Sequence, residues 1–245
     1  MLPKHGKIKC RACFPGSSSE IATPHPKWQI VNDPGAWGGS NPDFLVLGFS
    51  KGATQANIYQ QGKFEDIAFA GMRNRLTQAL QVMAVLSMNE SSDQKINSPD
   101  SNFAFGSLIR CSVSRQDARA NFSCSGSIIS KSFNEIPQII ETCTSRFLTN
   151  LPKSVQIVFF LGNTDSYVKS SQKCIEEMFF PDFSKYNSMA VQADGRFWIH
   201  IAHPSRANGH FNAWLNSDKG PGAKRIAARQ AADNALLFNE KRCLL

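Results

Sequence analysis

The chain has 245 residues, a formal net charge of +8 and seven cysteines. That length sustains one domain with a proper core. No apolar run approaches the roughly 20 residues that cross a bilayer, and Met-Leu-Pro-Lys-His-Gly-Lys at the N-terminus has no signal-peptide core. The expectation is a cytoplasmic protein with no membrane partner. Its thiols would stay reduced, and an odd cysteine count then favours metal binding over disulfides. The basic balance points to a polyanionic partner, nucleic acid first.

Residues 1–42 carry the Cys10/Cys13 pair, several prolines and the breakers Pro34-Gly35 and Gly38-Gly39. They read as a loop-rich lead-in that needs a staple. Phe44-Leu-Val-Leu-Gly48 is a short, continuously apolar run, the kind buried on both faces of a parallel sheet. Helical spacing predicts a helix over 70–86, a polar loop over 88–102 and a second strand over 105–111. Residues 112–132, rich in Ser and Arg around Gly126, read as an inserted loop. A helix over 135–151 takes Pro137 in its first turn. The clearest strand is 155–162, followed by a helix over 166–179 and a fourth strand over 197–202 that runs into His203. A short helix begins near Gly209, and 223–241 is an amphipathic C-terminal helix. Strands alternating with helices predict an α/β fold in a single domain over 1–245, with a parallel sheet covered on both faces. Ligands in such sheets bind outside the carboxyl ends of the strands. Here those ends are Gly48 to Gly52, Ser107 to Cys111, Gly162-Asn163 and His203 to Ser205.

Ordered along the chain stand Cys10 and Cys13, Gly48-Phe-Ser-Lys-Gly52, Ala68-Phe-Ala-Gly71, Ser107-Leu-Ile-Arg-Cys111, Cys143, Phe160-Leu-Gly162 and His203-Pro-Ser205. This set, from Cys10 to about Leu215, resembles the uracil-DNA glycosylase superfamily and most of all its iron–sulfur branch. The resemblance implies a three-layer α/β/α sandwich with a four-stranded parallel central sheet. It also implies a [4Fe–4S] cluster on Cys10, Cys13, Cys111 and Cys143; on count alone, four thiolates suit a structural zinc equally well. Cys124, Cys174 and Cys243 match nothing in the family and read as free thiols.

A glycosylase breaks the N-glycosidic bond of a nucleotide flipped out of the stack, so its site needs a stacking wall, a base-edge reader and a donor for the charge on the leaving base. Carried over from the family, Phe69 is the stacking wall and His203 hydrogen-bonds the base oxygen. Phe49, Gly52, Ser107 and Asn163 lie around the base. The His203 loop enters the minor groove, with Ser205, Arg206 and Asn208 toward the backbone. Lys51 and Lys224 are further candidates for phosphate, the latter in a basic cluster with Lys219, Arg225 and Arg229.

The chain departs from the family at five places. Ser107 stands where an Asn reads the uracil edge, and a hydroxyl cannot reproduce an amide's paired donor and acceptor. Phe49 and Ser50 stand where members place an acid or amide to position water. Ser50 itself, Asp66, Glu65 or Gln55 are the substitutes on offer. Gly52 falls where the classic uracil enzymes put a bulky tyrosine against C5, which leaves room for a C5 substituent; the iron–sulfur branch has Gly there too. Lys51 replaces a proline, as a phosphate ligand or an amine nucleophile. The stretch between Cys111 and Cys143 is long and, with Arg110 beside it, carries Arg115, Arg119, Asn121, Ser123 and Ser125. Together these favour a monomeric DNA glycosylase, without an obligate protein partner, that excises a C5-modified pyrimidine. The hydroxymethylated or glucosylated cytosines of phage DNA would fit, in a defence role. The alternatives are a uracil-DNA glycosylase of base excision repair and a catalytically inactive DNA-binding protein.

Overall fold

The computed structural model describes residues 2–124 and 128–242; Ser125, Gly126 and Cys243, singled out above, lie outside the described residues. The loop-rich lead-in also carries four short strands, β1 (Gly6–Lys7), β2 (Ile21–His25), β3 (Trp28–Val31) and β4 (Gly35–Gly38). Next come β5 (Phe44–Gly48), α1 (Ala53–Gln61) and α2 (Arg73–Val82). Residues 88–102 contain α3 (Ser92–Ile96), started by a capping box between Ser91 and Gln94. The second expected strand is β6 (Phe103–Ser107), shorter than the apolar run that marks it. The insert forms β7 (Ser112–Gln116), β8 (Phe122–Ser123) and α4 (Ile128–Glu135). Then follow α5 (Pro137–Phe147), with its proline at the start, β9 (Ile157–Leu161) and α6 (Asp165–Phe179). The chain ends with β10 (Phe183–Lys185), β11 (Ala190–Ala193), β12 (Arg196–Ile201), α7 (Phe211–Asn216) and α8 (Pro221–Arg242).

The main sheet has eight strands in the order β1-β4-β6-β5-β9-β12-β11-β10, not the four expected. The four expected strands are its centre: β6-β5-β9-β12 pair parallel throughout. Antiparallel strands extend both edges, β4 and β1 beyond β6 and β11 and β10 beyond β12. Every residue of β5, β6, β9 and β12 is buried, as continuous apolar strands in a doubly covered sheet must be.

Alternation along the strands divides the core in two. Val46, Phe105, Phe159 and Ile199 face α2, α3, α7 and α8. Leu45, Leu47, Val158, Phe160 and Trp198 face the other way, onto α4, α5 and α6. This is the three-layer α/β/α arrangement. On the second face a small antiparallel sheet, β2-β3-β7-β8, brings Trp28, Ile30 and Val113 into the core. It is built from the two segments that read as loops, because β3 and β7 complete each other across about 80 residues, Ile30 opposite Val113.

Candidate active site and cysteine pocket

The carboxyl ends of β5, β6 and β12 converge. Beyond them lie an outer cleft of about 700 Å³ and a small inner chamber of about 20 Å³. Ser50, Gln55, Met72 and His203 line both and form the neck between them. The chamber has room for about one water, so seating a base requires the flexible neck side chains to move. The inner wall is Phe69, Ser107 and Gly48; Ser205, Arg206 and Asn208 form one lip of the cleft. The insert forms the other, with Phe122, Cys124, Ile128 and Ile129.

His203 is half-buried, and Nδ1 accepts a hydrogen bond from the Ser205 amide at 3.2 Å. Nε2 is therefore the protonated nitrogen of the neutral ring. Burial holds its pKa down at about 4, so at neutral pH His203 is an uncharged donor. Asn208 braces the loop: Nδ2 donates to His203 O at 2.9 Å, and Oδ1 accepts from the His210 amide at 3.1 Å. Arg75, which sequence reasoning did not single out, pins the loop from α2 through Ser205 O at 2.8 Å.

Phe69 is buried edge-on against Phe105, ring centres 6.0 Å apart. Its φ is +53°, a left-handed conformation that costs a bulky residue about 1–3 kcal/mol and holds the ring beside Gly48. Ser107 is buried at the end of β6, opposite Gly48 in the parallel ladder. Phe49 contributes to the cleft floor, its ring packed against Tyr167 and Phe133. At Gly52, an added Cβ would meet nothing within 4 Å. Among the described residues lining the two cavities there is no carboxylate, and Arg206 is the one cation on the outer cleft.

Other candidates lie outside the cavities or have side chains committed elsewhere. Asp66 is exposed and lines neither cavity, and the same holds for Glu65. Asn163 also lies outside both; its carbonyl accepts from Lys224 Nζ at 2.8 Å. Lys224 is further paired with Asp165 at 2.6 Å, and Arg225 and Arg229 pair with Asp218 and Asp233. This part of the basic cluster is internally neutralised. Lys51 is 2% exposed. It lines the chamber, and Nζ donates to Arg110 O and stands 3.3 Å from Asp33 Oδ1. Burial lowers its pKa against the pull of Asp33. A side chain so enclosed is not available to phosphate. In the insert, Arg115 is held by both oxygens of Glu135 at 2.9 and 3.0 Å, whereas Arg119 and Asn121 sit exposed at the β7–β8 turn.

Cys10, Cys13, Cys111 and Cys143 come together from the lead-in, the β6–β7 connection and α5 to line one small pocket. A hydrogen bond links Cys13 and Cys143; it raises the pKa of Cys13 and lowers that of Cys143 to about 7. Burial raises Cys111 to about 12. Arg110 lines the same pocket, 2% exposed, with Nε and Nη2 lacking hydrogen-bond partners. Its guanidinium lies over Phe147 at 5.2 Å and against the bare backbone of Gly106, where a Cβ would collide with it. Burial lowers its pKa to about 10, with Cys143 opposing. Among the described residues, no group of three or more His, Cys, Asp or Glu is arranged to hold a single metal ion.

Sequence reasoning missed Asp33, the hub behind this pocket. It is 2% exposed and accepts from the Ser112 amide at 2.6 Å and from the Ser112 hydroxyl. An acid in an Asn-Asp-Pro-Gly turn gives no local sign of burial. No described helix is long and apolar enough to cross a membrane.

No protein-family model matches the chain, and no curated protein matches it. Among solved structures it is similar to wild-type SMUG2 of Pedobacter heparinus, with a TM-score of 0.43 and 13% identity, covering 92% of this chain and 94% of that one.

Proposed function

We propose that the chain is a monomeric DNA glycosylase that flips a non-standard pyrimidine into the neck and hydrolyses its N-glycosidic bond. The bond between C1′ and the base nitrogen breaks with its electron pair on the base. Water adds to C1′ and loses a proton, leaving an abasic site. The observation that carries the proposal is His203: a neutral donor, Nε2 protonated, at the neck between chamber and cleft. Such a donor lowers the cost of charge on the leaving base's oxygen without the solvation penalty of a buried cation. Phe69, on the chamber wall, would stack on the flipped ring, and Ser50 is the motif-loop hydroxyl at the neck.

The target we favour is a C5-modified base such as hydroxymethylcytosine or its glucosylated form in phage DNA, which would make the chain a defence enzyme. The wide cleft beyond the neck and the open space at Gly52 support this.

A [4Fe–4S] cluster on Cys10, Cys13, Cys111 and Cys143 belongs to the proposal, with a structural zinc as the alternative. The buried, unpartnered Arg110 fits an anionic centre in that pocket. A cluster would spread the four thiolates over several irons, whereas one zinc would draw all four to about 2.3 Å. Bound there, the cluster would staple the lead-in to the β6–β7 connection and α5. Iron and sulfide content against zinc content decides between them.

The test is release from four duplexes: unmodified, uracil-containing, hydroxymethylcytosine-containing and glucosylated. Abasic sites are scored by alkaline cleavage and the released base by mass spectrometry. Release of a modified base without uracil supports the proposal; release of uracil alone makes the chain a repair enzyme. The lack of any lining carboxylate favours one second reading, a DNA-binding protein without catalysis. His203→Ala separates the two, because it abolishes release by a glycosylase while DNA binding survives.

A further inference from the structure

The chamber's polar groups divide into spent and unspent. Lys51 Nζ is committed to Asp33 and Arg110 O, and Trp37 Nε1 donates to Phe64 O at 3.0 Å. His203 has used Nδ1. What remains is His203 Nε2, the hydroxyls of Ser50 and Ser107, and the amide of Gln55. Gln55 sits in the first turn of α1, one turn beyond Gly52, half-buried and with no hydrogen-bond partner among the described residues. The other amide at the site, Asn208, is consumed in bracing the His203 loop.

A pyrimidine edge presents a donor and an acceptor side by side: N3–H and O4 in uracil, N3 and the N4 amine in a cytosine. Only an amide matches such a pair from one side chain, and a hydroxyl at Ser107 cannot. Resting on the proposed function, we infer that Gln55 is the specificity-determining residue, whose amide reads the exocyclic edge of the base at the neck. α1 supports this by geometry: Ile58 and Tyr59 seat the helix against the core, while Gln55 lines both the chamber and the cleft and so stands on the path of an entering base. Base recognition has thus moved from the end of β6 to the helix after β5.

The experiment compares wild type, Q55A and Q55E on duplexes containing uracil or 5-hydroxymethylcytosine. It scores base release and, separately, duplex binding. Q55A should lose about 10- to 100-fold in kcat/KM on the preferred base, the range of one bidentate base contact. Q55E presents acceptors alone, so on either edge one oxygen meets a donor and the other faces an acceptor, and release of both bases should fall. Q55A should also shrink the preference between the two bases about tenfold, because the amide is what tells their donor and acceptor order apart. An unchanged Q55A, or a Q55A that lowers both bases equally, overturns the inference, since a structural or water-holding glutamine would not alter the ratio. A wild type that releases nothing refutes the glycosylase proposal alone. The inference then stands if Q55A narrows the duplex-binding preference between the two bases, and falls if it does not.

Discussion

Lys51 permits a sharp test, because its position in the motif loop suggests a phosphate ligand and its surroundings suggest otherwise. Its ammonium lies 3.3 Å from Asp33 Oδ1, and both side chains are 2–3% exposed. At an effective dielectric of about 20, that separation is worth about 5 kcal/mol of attraction, set against the desolvation that lowers the lysine's pKa. The net value of the pair is therefore small, but breaking it is costly. Lys51→Met fills the volume and leaves Asp33 buried with only its two Ser112 hydrogen bonds. The expected loss is about 3–5 kcal/mol, read as a shift of the urea midpoint at unchanged slope. Adding Asp33→Asn should return part of that loss, so the double variant costs less than the sum of the singles. The salt dependence of DNA binding should not change. A Lys51→Met protein within about 1 kcal/mol of wild type, as for an exposed pair, whose salt slope falls by about one, would refute the buried-pair account.

Acid should destabilise the fold through His200, which is 1% exposed and bonded to Gly162 O and Ser171 Oγ at 2.7 and 2.8 Å. Burial lowers its pKa from 6.5 to about 4; between those values the unfolded chain takes a proton that the folded one refuses. Its contribution is complete above pH 6.5 and falls away by about 3 kcal/mol on descending to pH 4, which urea unfolding across that range measures. Gly52→Tyr should fold normally, since φ is −79° and a Cβ meets nothing, yet cut release of a C5-substituted base by about tenfold relative to uracil. Arg110→Gln should stabilise the metal-free protein by removing an unpaired buried charge. It should also weaken metal retention by about 1.5–3 kcal/mol, the scale of a charged hydrogen bond, seen as iron lost under chelator challenge.

The parallel centre of the sheet was legible because Ile157–Leu161 and Phe44–Gly48 are buried on both faces and carry no polar interruption. The same rule misled at 105–111. Leu108 and Ile109 are as apolar as a strand, but their amides bond to Gly48 O and Phe49 O at 2.8 and 2.9 Å. The chain leaves the ladder there and folds over the motif loop. The small sheet was invisible because none of its strands makes sense alone. Ile21–His25 and Ser112–Gln116 are mixed in polarity and acquire a buried face only through partners distant in sequence. His203, Phe69, Ser107 and Ser50, carried over from the family motifs, line one chamber beyond the strand ends. Lys51 was misread because a loop lysine looks solvated until Asp33 is placed beside it.

Residues 110–112 join the two halves of the molecule's chemistry. Arg110 turns its guanidinium to the cysteine pocket and its carbonyl to Lys51. Cys111 lines that pocket, and Ser112 gives both its amide and its hydroxyl to Asp33. Lys51 belongs to the loop that carries Phe49, Ser50 and Gly52, and its backbone bridges to Ser112 in parallel. The motif loop is therefore held from behind by the strand exit that carries one cysteine and by an acid from the lead-in that carries two more. A buried polar network of this kind tolerates no half measures, because each member satisfies another in a low-dielectric interior. The segment before β5 is thus part of the site's foundation: it supplies Asp33 and two of the four thiols. The His203 loop, by contrast, is braced from α2 and by its own Asn208. Damage to the cysteine pocket should therefore displace the neck's Ser50 side before its His203 side, and impair base positioning ahead of leaving-group stabilisation.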